Sequence, residues 1–140
     1  MTRHILSKST FLKGCQCHKY LWLYKHKYEA RDEESEGLSS TFSQGISVGE
    51  LARNLFPGGV DASPIDHFNF QQSVLDTAKY IEQGQKVIYE AAFQYDGVLI
   101  AIDILVNEGG KWYAYEVKAS TKVKDIFIQD VALQYHVITN

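Results

Sequence analysis

A carboxylate set inside an aliphatic strand is the feature that most constrains this chain. Residues 98–106 read VLIAIDILV, with Asp103 among β-branched and aliphatic neighbours. Burying a charge in such a run is costly unless it is paired or binds a metal. Residues 107–110, Asn-Glu-Gly-Gly, supply a turn, and residues 111–119 form a second, aromatic run, so the spacing predicts a β-hairpin. Side chains alternate between faces along a strand. That grouping puts Ala101, Asp103 and Leu105 together on the first strand and Ala114, Glu116 and Lys118 together on the second. Two acids and a cation then converge on one place, and a metal ion is the economical explanation for them.

The rest of the chain is read outward from this hairpin. Residues 87–95 predict a strand joined to it by Asp96-Gly97, a strong two-residue hairpin signal, which makes a three-stranded antiparallel meander. Glu90 shares a strand face with Ile88 and Ala92, so it points either the same way as Asp103 or into solvent. Residues 7–28 predict one helix with Ser7 or Ser9 as its cap, followed by a polar loop over 29–40 that carries the acidic run from Asp32. A second helix is expected over 42–56, closed by Pro57-Gly58-Gly59, and a third over 70–83, ended by Gly84. Glu50 in the second is either an exposed helix acid or a contributor to the metal site. The last helix, 126–138, is read as amphipathic, with Ile128, Val131, Ala132, Tyr135 and Ile138 on its apolar face and Gln134 near the edge. The five histidines, His4, His18, His26, His67 and His136, lack ligand-spaced partners and read as surface or structural. The expected fold is α/β in the order helices, three strands, helix, with an antiparallel or mixed sheet flanked by helices in a single domain over 1–140. The chain is either a small stand-alone protein or the front part of a longer one.

Charge adds a second asymmetry. Residues 1–28 hold six basic residues and no acid, so the remaining residues carry −9 of a net −3. A basic arm before an acidic body suits an element that touches phosphates beside a site that collects cations, although charge alone favours the plainer reading of a solvated helix face. Two cysteines close together, no secretory signal and no apolar span point to a soluble, cytoplasmic protein without a membrane partner.

Asp103 followed thirteen positions later by Glu116-Val117-Lys118, across a hairpin and before a helix, resembles the D…(D/E)-x-K signature of the PD-(D/E)XK nuclease superfamily. Ile102 stands where the name-giving proline would be. Leu6-Ser7-Lys8-Ser9-Thr10-Phe11, then Cys17-His18-Lys19-Tyr20, is similar to the opening of RecB-like and CRISPR-associated exonucleases. Residues 45–50 match the glycine-led helix of that group, and Gln134 falls where its post-catalytic helix places a glutamine. The segments VGELARNLFPGG, VIYEAAF, YEVKAST and QDVALQY are similar to a bacterial branch of it.

This resemblance implies a restriction-endonuclease-like core and a metal-dependent nuclease acting on single-stranded DNA or duplex ends, in DNA repair, recombination or defence. Asp103, Glu116 and the backbone carbonyl of Val117 would hold Mg²⁺ or Mn²⁺, with Glu50 and Glu90 as further candidate ligands. Lys118 would orient or help deprotonate the attacking water, and Gln134 would position water or phosphate. Ser7, Ser9, Lys8, Lys13 and Lys19 would meet the nucleic acid. Where many relatives carry a metal-binding His in the glycine-led helix, this chain has Gly49, with Glu50 beside it. No cysteine follows Cys17, so a complete iron–sulfur cluster is not expected within these residues. The alternative function is a catalytically inactive nucleic-acid-binding or assembly module with the same fold; besides DNA, the expected partner is either a larger nuclease complex or a C-terminal region beyond these residues.

Overall fold

The computed structural model describes residues 5–30, 36–66 and 69–140, and the acidic run at 32–35 together with His4 and His67 lies outside them. The chain enters through a two-residue strand, β1 (Leu6–Ser7), and turns at once into α1 (Lys8–Gln16). Ser7 makes that sharp turn possible. Its hydroxyl accepts from the Thr10 backbone N–H at 3.3 Å while the Thr10 hydroxyl caps the Ser7 N–H at 2.8 Å, a reciprocal capping box. The single helix expected over 7–28 is instead two, because Cys17 is extended (φ −166°, ψ 123°) and separates α1 from α2 (His18–His26). The break folds α2 back along α1. Gly14 permits the approach, since a Cβ there would lie 3.1 Å from the Leu21 side chain.

After a 3₁₀ turn at Tyr28–Ala30 comes α3 (Glu36–Arg53), which starts inside the segment expected to be loop and ends three residues short of the expected terminus. A second two-residue strand, β2 (Val60–Asp61), and α4 (Phe70–Glu82) follow. Then come β3 (Val87–Tyr95), β4 (Val98–Glu108), β5 (Lys111–Tyr115) and α5 (Asp125–Ile138). Asp96 and Gly97 both have positive φ, 47° and 74°, which gives the two-residue turn the twist a hairpin requires. The antiparallel meander β3-β4-β5 is present as expected.

The sheet as a whole is mixed, in the order β1-β4-β3-β2, with β5 also on β4. β1 runs parallel to the start of β4 (Leu6↔Val98) and β2 parallel to the start of β3 (Val60↔Ile88). Both are too short to leave a periodic signal in the sequence. β1 and β5 thus share one edge of β4, β1 at Val98 and Leu99 and β5 from Ile104 to Glu108, with an interval at residues 100–103 between them. That interval is where the chemistry collects.

One face of the sheet carries a cluster of Ile88, Ala91, Ile100, Ile102 and Leu105 with Leu133 and Val137 of α5. The other carries Tyr89, Ile104 and Val106 against Ala52 of α3 and Phe56 beyond it. Strict alternation cannot put Ile102 and Leu105 in one cluster, nor Ile88 and Ala91. The phase changes at a single position: the β3–β4 ladder is in step throughout but omits Glu90 opposite Asp103, and Glu90 sits at φ +53°, a left-handed conformation uncommon outside glycine. The expected grouping of Asp103 with Leu105 therefore fails, as does that of Glu90 with Ile88. Leu105 and Ile88 lie in the cluster under α5, whereas Asp103 and Glu90 line a cleft beside α3.

The apolar face expected for the last helix is also not the one it buries. α5 buries Asp130, Leu133, Gln134 and Val137, while Ile128 is 59% and Tyr135 66% exposed, with Val131 and Ala132 exposed as well. Leu133 and Val137 anchor the helix, and the two polar residues buried beside them, Asp130 and Gln134, find partners in Lys118 and Glu116 just past β5. No helix among the described residues is long and apolar enough to cross a membrane.

Candidate active site

The second strand of the hairpin is shorter than its sequence suggests, and the shortening creates the site. β5 ends at Tyr115, not at Ala119. Continuing the register would pair Asp103 with Glu116; instead the Val117 backbone N–H donates to Asp103 Oδ2 at 2.6 Å. A side-chain carboxylate takes the donor that a further ladder residue would have used, and residues 116–118 swing away from β4. Glu116 and Lys118 then face the interval on the β4 edge.

Four groups close a ring there. Lys118 Nζ donates to Glu116 Oε1 at 2.6 Å and to Asp130 Oδ2 at 2.7 Å. Gln134 Nε2 donates to Glu116 Oε2 at 2.8 Å and to Asp130 Oδ1 at 2.9 Å. Each acid thus gives one oxygen to the lysine and one to the glutamine. Lys8, reaching in from the first turn of α1, adds a third donor: its Nζ lies 2.9 and 3.0 Å from the two Glu116 oxygens, 3.5 Å from the Ala101 carbonyl and 3.7 Å from Asp130 Oδ1. Charge-assisted bonds of this kind are the strong ones, and closing them into a network fixes their mutual geometry.

Beside the ring lies a cleft of about 680 Å³. Asp103, Glu116, Val117 and Lys118 form one wall, Gly45, Ile46, Gly49, Glu50 and Arg53 of α3 the other, and Glu90 joins them. Arg53 ties the two sides, donating to Asp61 Oδ2 at 2.7 Å and reaching Glu90 Oε1 at 3.4 Å while its guanidinium covers the Tyr89 ring.

The electrostatics follow from this crowding. Burial, then the charge of Glu116, raises the pKa of Asp103 above the ordinary carboxylate value, with the Val117 N–H and the two lysines offsetting only part. Burial and the Asp103 charge raise Glu90 in the same way, against Arg53. For Lys118, burial alone would lower the pKa, but the hydrogen bonds and charges of Asp130 and Glu116 together hold it above the ordinary value. Burial would raise Asp130, yet Lys118, Gln134 and Lys8 pull it down. Two carboxylates on the cleft side thus repel each other, and two lysines compensate from the ring side.

The structure brings together Asp103, Glu116, Lys118 and Gln134, and adds Lys8, expected at nucleic acid, to their midst. Gln134 braces Glu116 from behind and is not among the cleft-lining residues. Glu50 lines the cleft as an exposed helix residue, and Glu90 lines it paired to Arg53. Ser7 and Ser9 are joined at 3.1 Å around the α1 cap, Lys13 stacks over the Tyr24 ring and Lys19 is exposed on α2. Asp130 and Arg53 were not singled out from the sequence. For Asp130 the signal was its place four residues before Gln134 within an apolar helix, a spacing that puts both on one face; Arg53 left none.

No family model, curated protein or solved structure matches the chain.

Among the described residues no group of three or more His, Cys, Asp or Glu side chains is gathered as a metal cage. The donor set at the cleft is two carboxylates, Asp103 and Glu116, with the Val117 backbone between them and Lys118. Magnesium is commonly held by one or two carboxylates, several waters and substrate phosphate, and Asp103 and Glu116 are two carboxylates at one open cleft.

Proposed function

We propose that this chain is a metal-dependent nuclease that hydrolyses DNA phosphodiester bonds, built on a fold of the restriction-endonuclease type. The observation that supports it is the convergence of Asp103, Glu116 and Lys118 on one wall of a cleft, at the point where β5 leaves the sheet. Asp103, Glu116 and the Val117 carbonyl would hold Mg²⁺ or Mn²⁺. The bound ion would act as a Lewis acid and supply hydroxide near neutral pH. Lys118, held in its charged form by two acids, would orient the attacking water and stabilise charge on the phosphate. Gln134 would keep Glu116 aligned, and Lys8 and Arg53 would draw phosphate toward the cleft. DNA in the cytoplasm is the expected partner.

Incubation of the purified chain with single-stranded and linear duplex DNA in Mg²⁺, Mn²⁺ or EDTA, beside Asp103→Ala and Lys118→Ala, tests this reading. Metal-dependent cleavage lost in both variants supports it; cleavage that persists in both removes it. DNA retained without cleavage in either metal supports a binding module instead.

A further inference from the structure

We infer that Asp130 is a positioning residue of this site, holding Lys118 at the cleft when Glu116 is drawn toward a metal ion. The inference rests on the hydrolase reading above. Glu116 has two tasks in that reading that compete: its oxygens would bind a cation, yet in the ring they are also acceptors for Lys118, Gln134 and Lys8. When Glu116 turns to a cation, Lys118 and Gln134 each lose one acceptor. The acceptor left to both is Asp130.

Asp130 is placed for that task. It is 1% exposed and is not among the residues lining the cleft, so it acts through its neighbours and not on substrate. Its Oδ2 takes Lys118 and its Oδ1 takes Gln134, so one rigid carboxylate sets the position of both. Its base is firm as well, because Leu133 and Val137 on the same face of α5 sit in the core cluster. A charged residue this buried is tolerated because its oxygens are occupied by charge-assisted donors. Lys118 by contrast is a flexible side chain about a third exposed, 31% by side-chain surface, and without a fixed acceptor it would turn to solvent.

The test compares wild type with Asp130→Ala and with the isosteric Asp130→Asn, each checked for folding by circular dichroism. Three readouts are needed: Mn²⁺ affinity by calorimetry, single-turnover cleavage of DNA, and acetylation of Lys118 by a water-soluble active ester, scored by mass spectrometry against exposed Lys19. With Mn²⁺ bound, losing a charge-assisted acceptor is expected to raise Lys118 acetylation about fivefold or more. Cleavage is expected to fall about 10–100-fold, as for loss of a residue that orients a ligating group, with Mn²⁺ affinity within about threefold of wild type. Lys118 acetylation in both variants equal to wild type overturns the inference, as does undiminished cleavage. If wild type itself cleaves no DNA, the hydrolase reading falls; the acetylation comparison, run without metal in a Glu116→Ala background that removes the other acceptor of Lys118, still decides whether Asp130 holds Lys118. Should Asp130→Ala not fold, Asp130→Asn carries the comparison.

Discussion

Asp103 Oδ2 accepts the backbone N–H of Val117 at 2.6 Å, so the carboxylate that would hold a metal is also the group that ends the β4–β5 ladder. One side chain shapes the hairpin and supplies the charge at its end. The two roles come apart by mutation.

Asp103→Asn keeps an oxygen for the Val117 N–H and removes the charge. It is expected to fold with its hairpin intact and to lose Mn²⁺ binding by calorimetry. Asp103→Ala loses the acceptor too and is expected to be less stable than the asparagine variant by about 1–3 kcal/mol in urea unfolding, the cost of leaving a half-buried N–H unpaired.

The same pair of proteins gives a pH dependence in EDTA. Asp103 has a raised folded-state pKa, so its contribution to stability is fully present below the ordinary aspartate value of 3.8 and is lost as pH rises through the folded value. At pH 7 the ionised acid is therefore a net cost that asparagine does not carry. Asp103→Asn is expected to melt higher than wild type at pH 7, with the difference shrinking as pH falls toward 3.8. A difference that grows on acidification would contradict the assigned direction.

Lys8 covers both oxygens of Glu116 and so competes with any cation for them. Lys8→Ala is expected to tighten Mn²⁺ binding about fivefold or more, since the competing charge-assisted bonds are gone. DNA affinity measured in parallel is expected to weaken, with a shallower salt dependence. Unchanged Mn²⁺ affinity would show that Lys8 does not guard Glu116.

Gly59 joins the α3 side of the cleft to the sheet. A Cβ there would lie 2.5 Å from Tyr89 Cζ and 2.8 Å from Val87 Cγ1, and the Tyr89 hydroxyl donates to the Phe56 carbonyl at 2.6 Å. Gly59→Ala is expected to cost about 1–3 kcal/mol by overpacking, read as a lower urea midpoint. Tyr89→Phe keeps the ring but removes two hydrogen bonds, the one to the Phe56 carbonyl and the one accepted from the Gly59 N–H at 3.2 Å, and is expected to cost about 1–3 kcal/mol.

Thr77 serves α4 in a similar way. Fully buried, it donates to the Ser73 carbonyl and accepts the Ala92 N–H of β3 at 2.9 Å. Thr77→Val preserves shape and leaves that N–H without an acceptor, for an expected loss of about 1–3 kcal/mol.

The meander was legible in the residues because each of its signals is local. Asp96-Gly97 selects a two-residue turn, residues 107–110 supply turn residues that the structure narrows to Gly109-Gly110 with positive φ, and the runs between them carry strand composition. The oddity of Asp103 was legible too, since a charge among isoleucines stands out in any register. Two kinds of feature were not. β1 and β2 are two residues each and exist only because β4 and β3 offer them an edge, so no periodicity marks them. The phase change at Glu90 and Asp103, and the face that α5 turns inward, depend on which partners the folded chain supplies. The helix has one stripe of Ile128, Val131 and Tyr135 and another of Asp130, Leu133, Gln134 and Val137; hydrophobicity alone selects the first. The second is buried because Lys118 and Glu116 are waiting for its polar members, and Leu133 and Val137 fill the core beside them. The sequence by itself determined the hairpin and the residues that carry its charge. Only the tertiary structure decided that Lys8 and Asp130 belong with them, because a charge-assisted bond between residues more than a hundred positions apart, as between Lys8 and Glu116, is written in no local pattern.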